Sequence, residues 1–299
     1  MPSVKSNGID IHYESQGAPA DETILLVMGL ATQLTAWPAS FCDDLVARGY
    51  HVVRFDNRDI GLSSHLDSGV THNIPMLVVR RAMNLPVKVS YTLDDMAADA
   101  VGLLDALAIP AAHVVGASMG GMIAQIMAAS FPDRVLSLTS IMSTTGHRSL
   151  PGADPDARRA LLTRPEDPAS QESVVMRNAK VRQILQSPIY PKDFDELYRV
   201  ANDAYERSGY DPDGINRQLA AIIAADHRRS LLRTVDVPAL VIHGAHDPLV
   251  KAECGIDTAK CLSKAELLVL HGMGHDFPHN LLPAMADRIT DTARRVQAA

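Results

Sequence analysis

Gly116-Ala117-Ser118-Met119-Gly120 stands between an apolar run, His113-Val114-Val115, and the stretch Gly121-Met122-Ile123-Ala124-Gln125-Ile126-Met127. The run before it reads as a buried strand, and the stretch after it reads as a helix ended by Pro132. Strand, sharp turn and helix, with serine at the turn, make a nucleophile elbow that presents a hydroxyl at its apex. The flanking glycines answer a steric demand. The apex residue sits in strained backbone, and side chains at 116 and 120 would collide with strand and helix.

Outward from the elbow, strand and helix signals alternate. Ile9-Asp10-Ile11-His12-Tyr13 alternates as a half-exposed strand does, and Ile24-Leu25-Leu26-Val27-Met28 is continuously apolar, as in a strand covered on both faces. Pro38 opens a helix carrying Phe41, Leu45 and Val46 that Gly49 closes, and His51-Val52-Val53-Arg54-Phe55 is the next strand. Thr92 with Asp95 three residues on marks a helix start, with Met96, Val101, Leu104 and Leu107 on the buried side. After the elbow helix comes Val135–Met142, and strands return at Pro238–His243 and Ala265–Leu270. This order predicts an α/β fold with a mostly parallel sheet covered by helices on both faces. Residues 144–233 interrupt it with charged, proline-punctuated, helical sequence. They are expected to form a helical cap, with 1–143 and 234–299 as the core.

The 46% hydrophobic and 21% charged composition is that of a globular chain able to bury a large core. Lys+Arg 28 against Asp+Glu 35 leaves −7, which argues against a nucleic-acid partner. The acidic excess is spread along the chain and reads as solubility. Cys42, Cys254 and Cys261 are odd in number and lack close metal-ligand spacing, which points to a reducing compartment without a disulfide framework. Met1-Pro2-Ser3-Val4-Lys5 lacks a secretory apolar stretch, and no apolar run approaches the ~18 residues of a membrane span. A cytoplasmic protein with no membrane partner is the expectation.

A serine hydroxyl needs a base, and the base needs an orienting group. In a parallel sheet, catalytic groups gather beyond the carboxyl ends of the strands. Gly244-Ala245-His246-Asp247-Pro248 follows one late strand and His271-Gly272-Met273-Gly274-His275-Asp276 the other. Asp247 and His275 therefore join Ser118 in the chain order serine, acid, histidine. Competitors are present. His246 adjoins Asp247, His271 lies nearer its strand, and Asp276 adjoins His275 and would point elsewhere. Ser143–His147 offers no carboxylate. His271, His275 and His279 could align three zinc ligands on a helix, but Gly272, Gly274 and Pro278 oppose a helix there, so no metal is expected. Donors for an oxyanion would be the backbone N–H of Met119 and that of Leu30, on the turn after the Ile24–Met28 strand.

With Val27-Met28-Gly29-Leu30, Phe55-Asp56-Asn57-Arg58-Asp59-Ile60-Gly61-Leu62-Ser63, the elbow, Gly244-Ala245-His246-Asp247 and Gly272-Met273-Gly274-His275, the chain resembles the α/β-hydrolase fold family. The resemblance runs from Ile9 to the last helix. Among the family's branches the chain is most similar to bacterial carboxylesterases related to aclacinomycin (anthracycline) methylesterase. That implies a cofactor-free serine esterase on a small-molecule ester, with Ser118 as nucleophile, His275 as base, Asp247 as acid, and Leu30 and Met119 as oxyanion donors. Cofactor-free perhydrolysis and C–C bond hydrolysis use the same triad, and a ligand-binding protein could retain it. The chain departs from the many members with His-Gly at the oxyanion turn, since it has Met28-Gly29, which removes a side chain that often braces that loop. Asp56–Asp59 is expected to be a structural network. Ile74–Val79 and Ala82–Val87 are expected to form a core helix. If they faced the site instead, they would give it, together with the cap, an adaptable apolar pocket.

Overall fold

Eight strands form one sheet in the order β1-β2-β4-β3-β5-β6-β7-β8 in a computed structural model that describes residues 2–66 and 69–296. The strands are β1 Ser3–Ser6, β2 Ile9–Gln16, β3 Thr23–Val27, β4 His51–Phe55, β5 Ala112–Ala117, β6 Val135–Ile141, β7 Ala239–Gly244 and β8 Ala265–Leu270. Pairings β1·β2 and β2·β4 are antiparallel. From β4 to β8 every pairing is parallel. Burial explains the sequence signal: β3, β5 and β7 are buried at every residue, and such strands read as unbroken apolar runs.

The helices are α1 Ala39–Ala47, α2 Ile74–Ala82, α3 Leu93–Ala106, α4 Met119–Ser130, α5 Pro155–Leu162, α6 Gln171–Leu185, α7 Phe194–Ser208, α8 Pro212–Ala224, α9 Arg229–Leu232, α10 Ala252–Cys261 and α11 Leu282–Arg294. Thr92 accepts from Asp95 N, and the Asp95 carboxylate accepts from Thr92 N, so α3 starts in a capping box. One core joins α3 and α4 to one face of the sheet, with Met96, Leu103, Met119, Ile123 and Met127 among its residues. The other face buries Trp37, Phe41 and Leu45 with Met285 and Ile289 of α11.

Helices α5 to α9 all lie between β6 and β7. Buried charge pairs tie α7 and α8 to the loop after β4. Arg217 of α8 donates to both oxygens of Asp59 at 2.8 Å, and Arg207 of α7 pairs with Asp56 at 2.8 Å. Arg58 of the same loop pairs with Asp99 of α3 and lies over the Tyr91 ring. The stretch 56–59 is thus a network of ion pairs, and removing one member of such a buried pair costs about 3–5 kcal/mol. Asp59, His65 and Asp211 bring three metal-type ligand atoms together, the one such group among the described residues. Arg217 pairs with Asp59 at 2.8 Å and lies 3.8 Å from Asp211, so both carboxylates already face a cationic side chain.

The sequence expectation fails for 74–87. Leu77 of α2 is buried, but Met76, Val78, Val79 and Met83 are at least half exposed, so this is not a core helix.

The elbow has no room for side chains at its glycines. A β-carbon at Gly116 would lie 2.1 Å from Gly120 O, and one at Gly120 would lie 2.0 Å from Val27 O. Backbone cannot yield to such contacts without moving β3 or α4. Gly120→Ala is therefore expected to lower unfolding stability by about 2 kcal/mol or more, measured by urea denaturation; an unchanged midpoint would refute this packing.

Candidate active site

Ser118 ends β5 and starts α4 with φ 55° and ψ −119°. For a non-glycine residue this is strained backbone, held by its surroundings. Its N–H donates to Ile141 O at 2.9 Å, and its carbonyl accepts from Ser143 Oγ at 2.7 Å. The turn therefore cannot relax without breaking its bonds to the end of β6.

His275 lies on the loop after β8, with Nε2 3.0 Å from Ser118 Oγ and Nδ1 2.7 Å from Asp247 Oδ2. A carboxylate oxygen at Nδ1 places the proton there and leaves Nε2 to accept from the hydroxyl. Asp247, on the loop after β7, is buried, and its other oxygen accepts from Leu249 N and Val250 N at 2.8 Å each. Those two amides fix the carboxylate so that its free oxygen meets the imidazole. His243 lies 3.7 Å from Asp247 but donates from Nε2 to Val250 O, and burial lowers its pKa, so it stays neutral beside the acid. The structure thus joins Ser118, His275 and Asp247 in one hydrogen-bonded line. His271 and His246 meet edge to face with ring centroids 5.0 Å apart, and His279 lies 3.9 Å from Glu196, so none of them joins that line.

The loop after β3 runs alongside the serine. A β-carbon on Gly29 would touch Ser118 Cβ at 3.0 Å and Ala117 O at 3.2 Å, so a side chain here would press the nucleophile turn aside by a few tenths of an ångström. Leu30 follows directly. Met119 N–H belongs to the first turn of α4, where amides have no acceptor within their own helix. Of the two amides expected as oxyanion donors, that of Met119 directly follows the serine, and that of Leu30 directly follows Gly29, which packs on Ser118. Asn57 Nδ2 donates to Met28 O at 2.9 Å, which braces the loop in place of the missing histidine side chain. Asp56 Oδ1 accepts from Leu34 N at 2.7 Å at the loop's far end.

Two contributors escape sequence reasoning because they come from the helices between β6 and β7. Gln218 of α8 accepts from Ala31 N at 2.9 Å and donates to Arg58 O at 2.7 Å. It clamps the residue after Leu30 to the loop after β4. Ser187, just past α6, accepts from Gly274 N at 2.8 Å and donates to Asp276, while His275 N donates to Leu185 O at 2.8 Å. Phe277 completes the anchor by packing on Trp37 with ring centroids 5.0 Å apart. The only sequence hint was polarity: Arg217 and Gln218 lead into an otherwise apolar stretch of α8.

A family model described as alpha/beta hydrolase fold matches residues 22–280. The chain belongs to the α/β-hydrolase fold family. This α/β-hydrolase is similar to rhodomycin D methylesterase of Streptomyces peucetius, 28% identical over 297 residues that cover 93% of each chain. Its fold matches the enol-lactonase of Burkholderia xenovorans LB400, with TM-score 0.74 and 23% identity over 98% of this chain and 100% of that one. It also matches a variant of the meta-cleavage product hydrolase of Pseudomonas fluorescens IP01, with TM-score 0.75 and 17% identity over 99% and 98%.

Asp276 of this α/β-hydrolase points away from the imidazole toward Ser187. Burial pushes its carboxyl above the ordinary range, the Ser187 hydrogen bond opposes that shift, and Oδ2 has no hydrogen-bond partner among the described residues. A raised carboxyl binds its proton more tightly folded than unfolded, so stability is greatest below the unfolded value of ~3.9 and falls as pH rises through the folded one. Asp276→Asn removes that loss while leaving Ser187 an acceptor. It should raise the melting temperature at neutral pH, with the gain vanishing on acidification. An equal shift at all pH values would contradict it.

Proposed function

We propose that the protein hydrolyses carboxylic esters through an acyl-enzyme. The observation that carries this reading is the line from Asp247 through His275 to the Ser118 hydroxyl, with 2.7 and 3.0 Å separations. Ser118 Oγ attacks the ester carbonyl as His275 Nε2 takes its proton, and Asp247 holds the tautomer and stabilises the imidazolium. The N–H groups of Leu30 and Met119 receive the oxyanion. The alcohol leaves with the proton from His275, and water repeats the sequence to free the acid. No cofactor enters these steps.

Residues 144–233 act as a cap over this centre, a reading supported by the bonds from Leu185, Ser187 and Gln218 to the loops that carry His275 and Leu30. The likeness to rhodomycin D methylesterase supports a methyl ester as substrate. An uncharged, mainly apolar substrate is supported by the use of nearby charges on one another, as in Arg207–Asp56 and Arg217–Asp59.

Ser118→Ala is expected to abolish hydrolysis of short aryl esters and labelling by a fluorophosphonate, with an unchanged circular dichroism spectrum. Retained turnover would reject the nucleophile. Gln218→Met, similar in shape but unable to clamp Ala31 N, should lower kcat by about 10- to 100-fold with little change in KM. A change confined to KM would mean that the clamp serves binding rather than the oxyanion loop.

A further inference from the structure

Helix α2 turns its apolar side outward. At about 100° per residue, Pro75, Met76, Val78, Val79, Ala82 and Met83 share one face, and all six are exposed. Met76 is 54% exposed, Val79 52% and Met83 64%, and Leu85 continues the surface at 42%. A solvated helix places polar residues on this side. Here the side holds none.

The inner side of α2 is fastened, so the exposed face is a fixed platform. Asn73 caps the helix by accepting from Met76 N, and His72 exchanges two hydrogen bonds with Asn216 of α8, at 2.7 and 3.0 Å. Arg81 donates to Ala225 O at 2.9 Å, and Arg148 donates to Arg81 O.

Charge borders the apolar face. On the helical wheel Arg80 falls about 40° beyond one margin and Arg81 about 60° beyond the other. Arg81 is countered by the exposed carboxylate of Asp226. Arg80 donates to Pro86 O, and neither it nor Lys88 is bonded to a carboxylate among the described residues. In a chain of net charge −7, no Asp or Glu occurs between Asp67 and Asp94, whereas Arg80, Arg81 and Lys88 do.

We propose that this face docks the protein on an anionic lipid bilayer, with α2 lying flat at the interface. An apolar side flanked by basic residues is the pattern of a helix that rests in the headgroup region and sinks its apolar side chains toward the acyl chains. No helix among the described residues is long and apolar enough to cross a membrane, but a surface-lying helix needs only one apolar side. Surface docking departs from the expectation of no membrane partner, which rested on the absence of a spanning apolar run. Charge also separates this occupant from a second copy of the chain. A two-fold interface would bring two copies of the uncompensated Arg80 and Lys88 together, whereas anionic headgroups complement them. Docking brings the hydrolase to the phase in which apolar esters collect, and it does not depend on which reaction the enzyme performs.

Flotation of the full chain with unilamellar vesicles tests this. Binding is expected to vesicles of mixed phosphatidylglycerol and phosphatidylcholine, and should weaken severalfold as NaCl rises to about 0.5 M. The triple variant M76S/V79S/M83S should bind those vesicles about tenfold more weakly or worse, with unchanged hydrolysis of a short water-soluble ester. Absence of flotation, flotation indifferent to the triple substitution, or equal affinity for pure phosphatidylcholine would each overturn the proposal. So would a wild-type dimer in light scattering that the triple variant converts to monomer, since a second copy would then cover the face.

Discussion

The approach of the β5–α4 turn to the carboxyl end of β3 is the constraint on which the rest depends. Gly120 packs on Val27 O at a separation that leaves no space for a β-carbon, and Gly29 packs so close to Ser118 that a β-carbon would press on the nucleophile turn. The strained backbone at Ser118 survives because Ile141 O and Ser143 Oγ hold it from the next strand. Parallel pairing of β3, β5 and β6 then brings three strand ends level, so the hydroxyl, the loop of Leu30 and the end of β6 share one small region.

The helices between β6 and β7 bond to the loops that meet in that region. Leu185 and Ser187 hold the histidine loop, Gln218 holds the loop after β3, and Arg207 and Arg217 fix α7 and α8 to buried aspartates of the loop after β4. Movement of these helices would therefore be felt at the imidazole and at the Leu30 loop together. In the proposed reaction, preorganised donors and a fixed imidazole would cost nothing to arrange at the moment of reaction, which is how such bracing would bear on rate.

Much of the core was legible because β3, β5 and β7 are covered on both faces and leave unbroken apolar runs in the chain. Strand-end placement pointed to the three side chains now seen in one line, while leaving His246, His271 and Asp276 as competitors on the same loops. β1 left no signal, being four residues of mixed polarity at an antiparallel edge. Gln218 meets Ala31 across 187 positions, and Ser187 meets Gly274 across 87, so no local pattern could show either contact. α2 misled for a different reason. Apolar spacing reports that a face is greasy but not whether protein covers it, and here Met76, Val79 and Met83 meet solvent.

The covalent step offers the most direct measurement. Rapid mixing with an activated aryl ester, acid quenching and peptide mass mapping should find the acyl group on the peptide containing Ser118. Its yield should fall sharply when His275 is replaced by alanine. Steady ester turnover with no adduct, or with the adduct on another residue, would contradict the assignment of Ser118 as nucleophile.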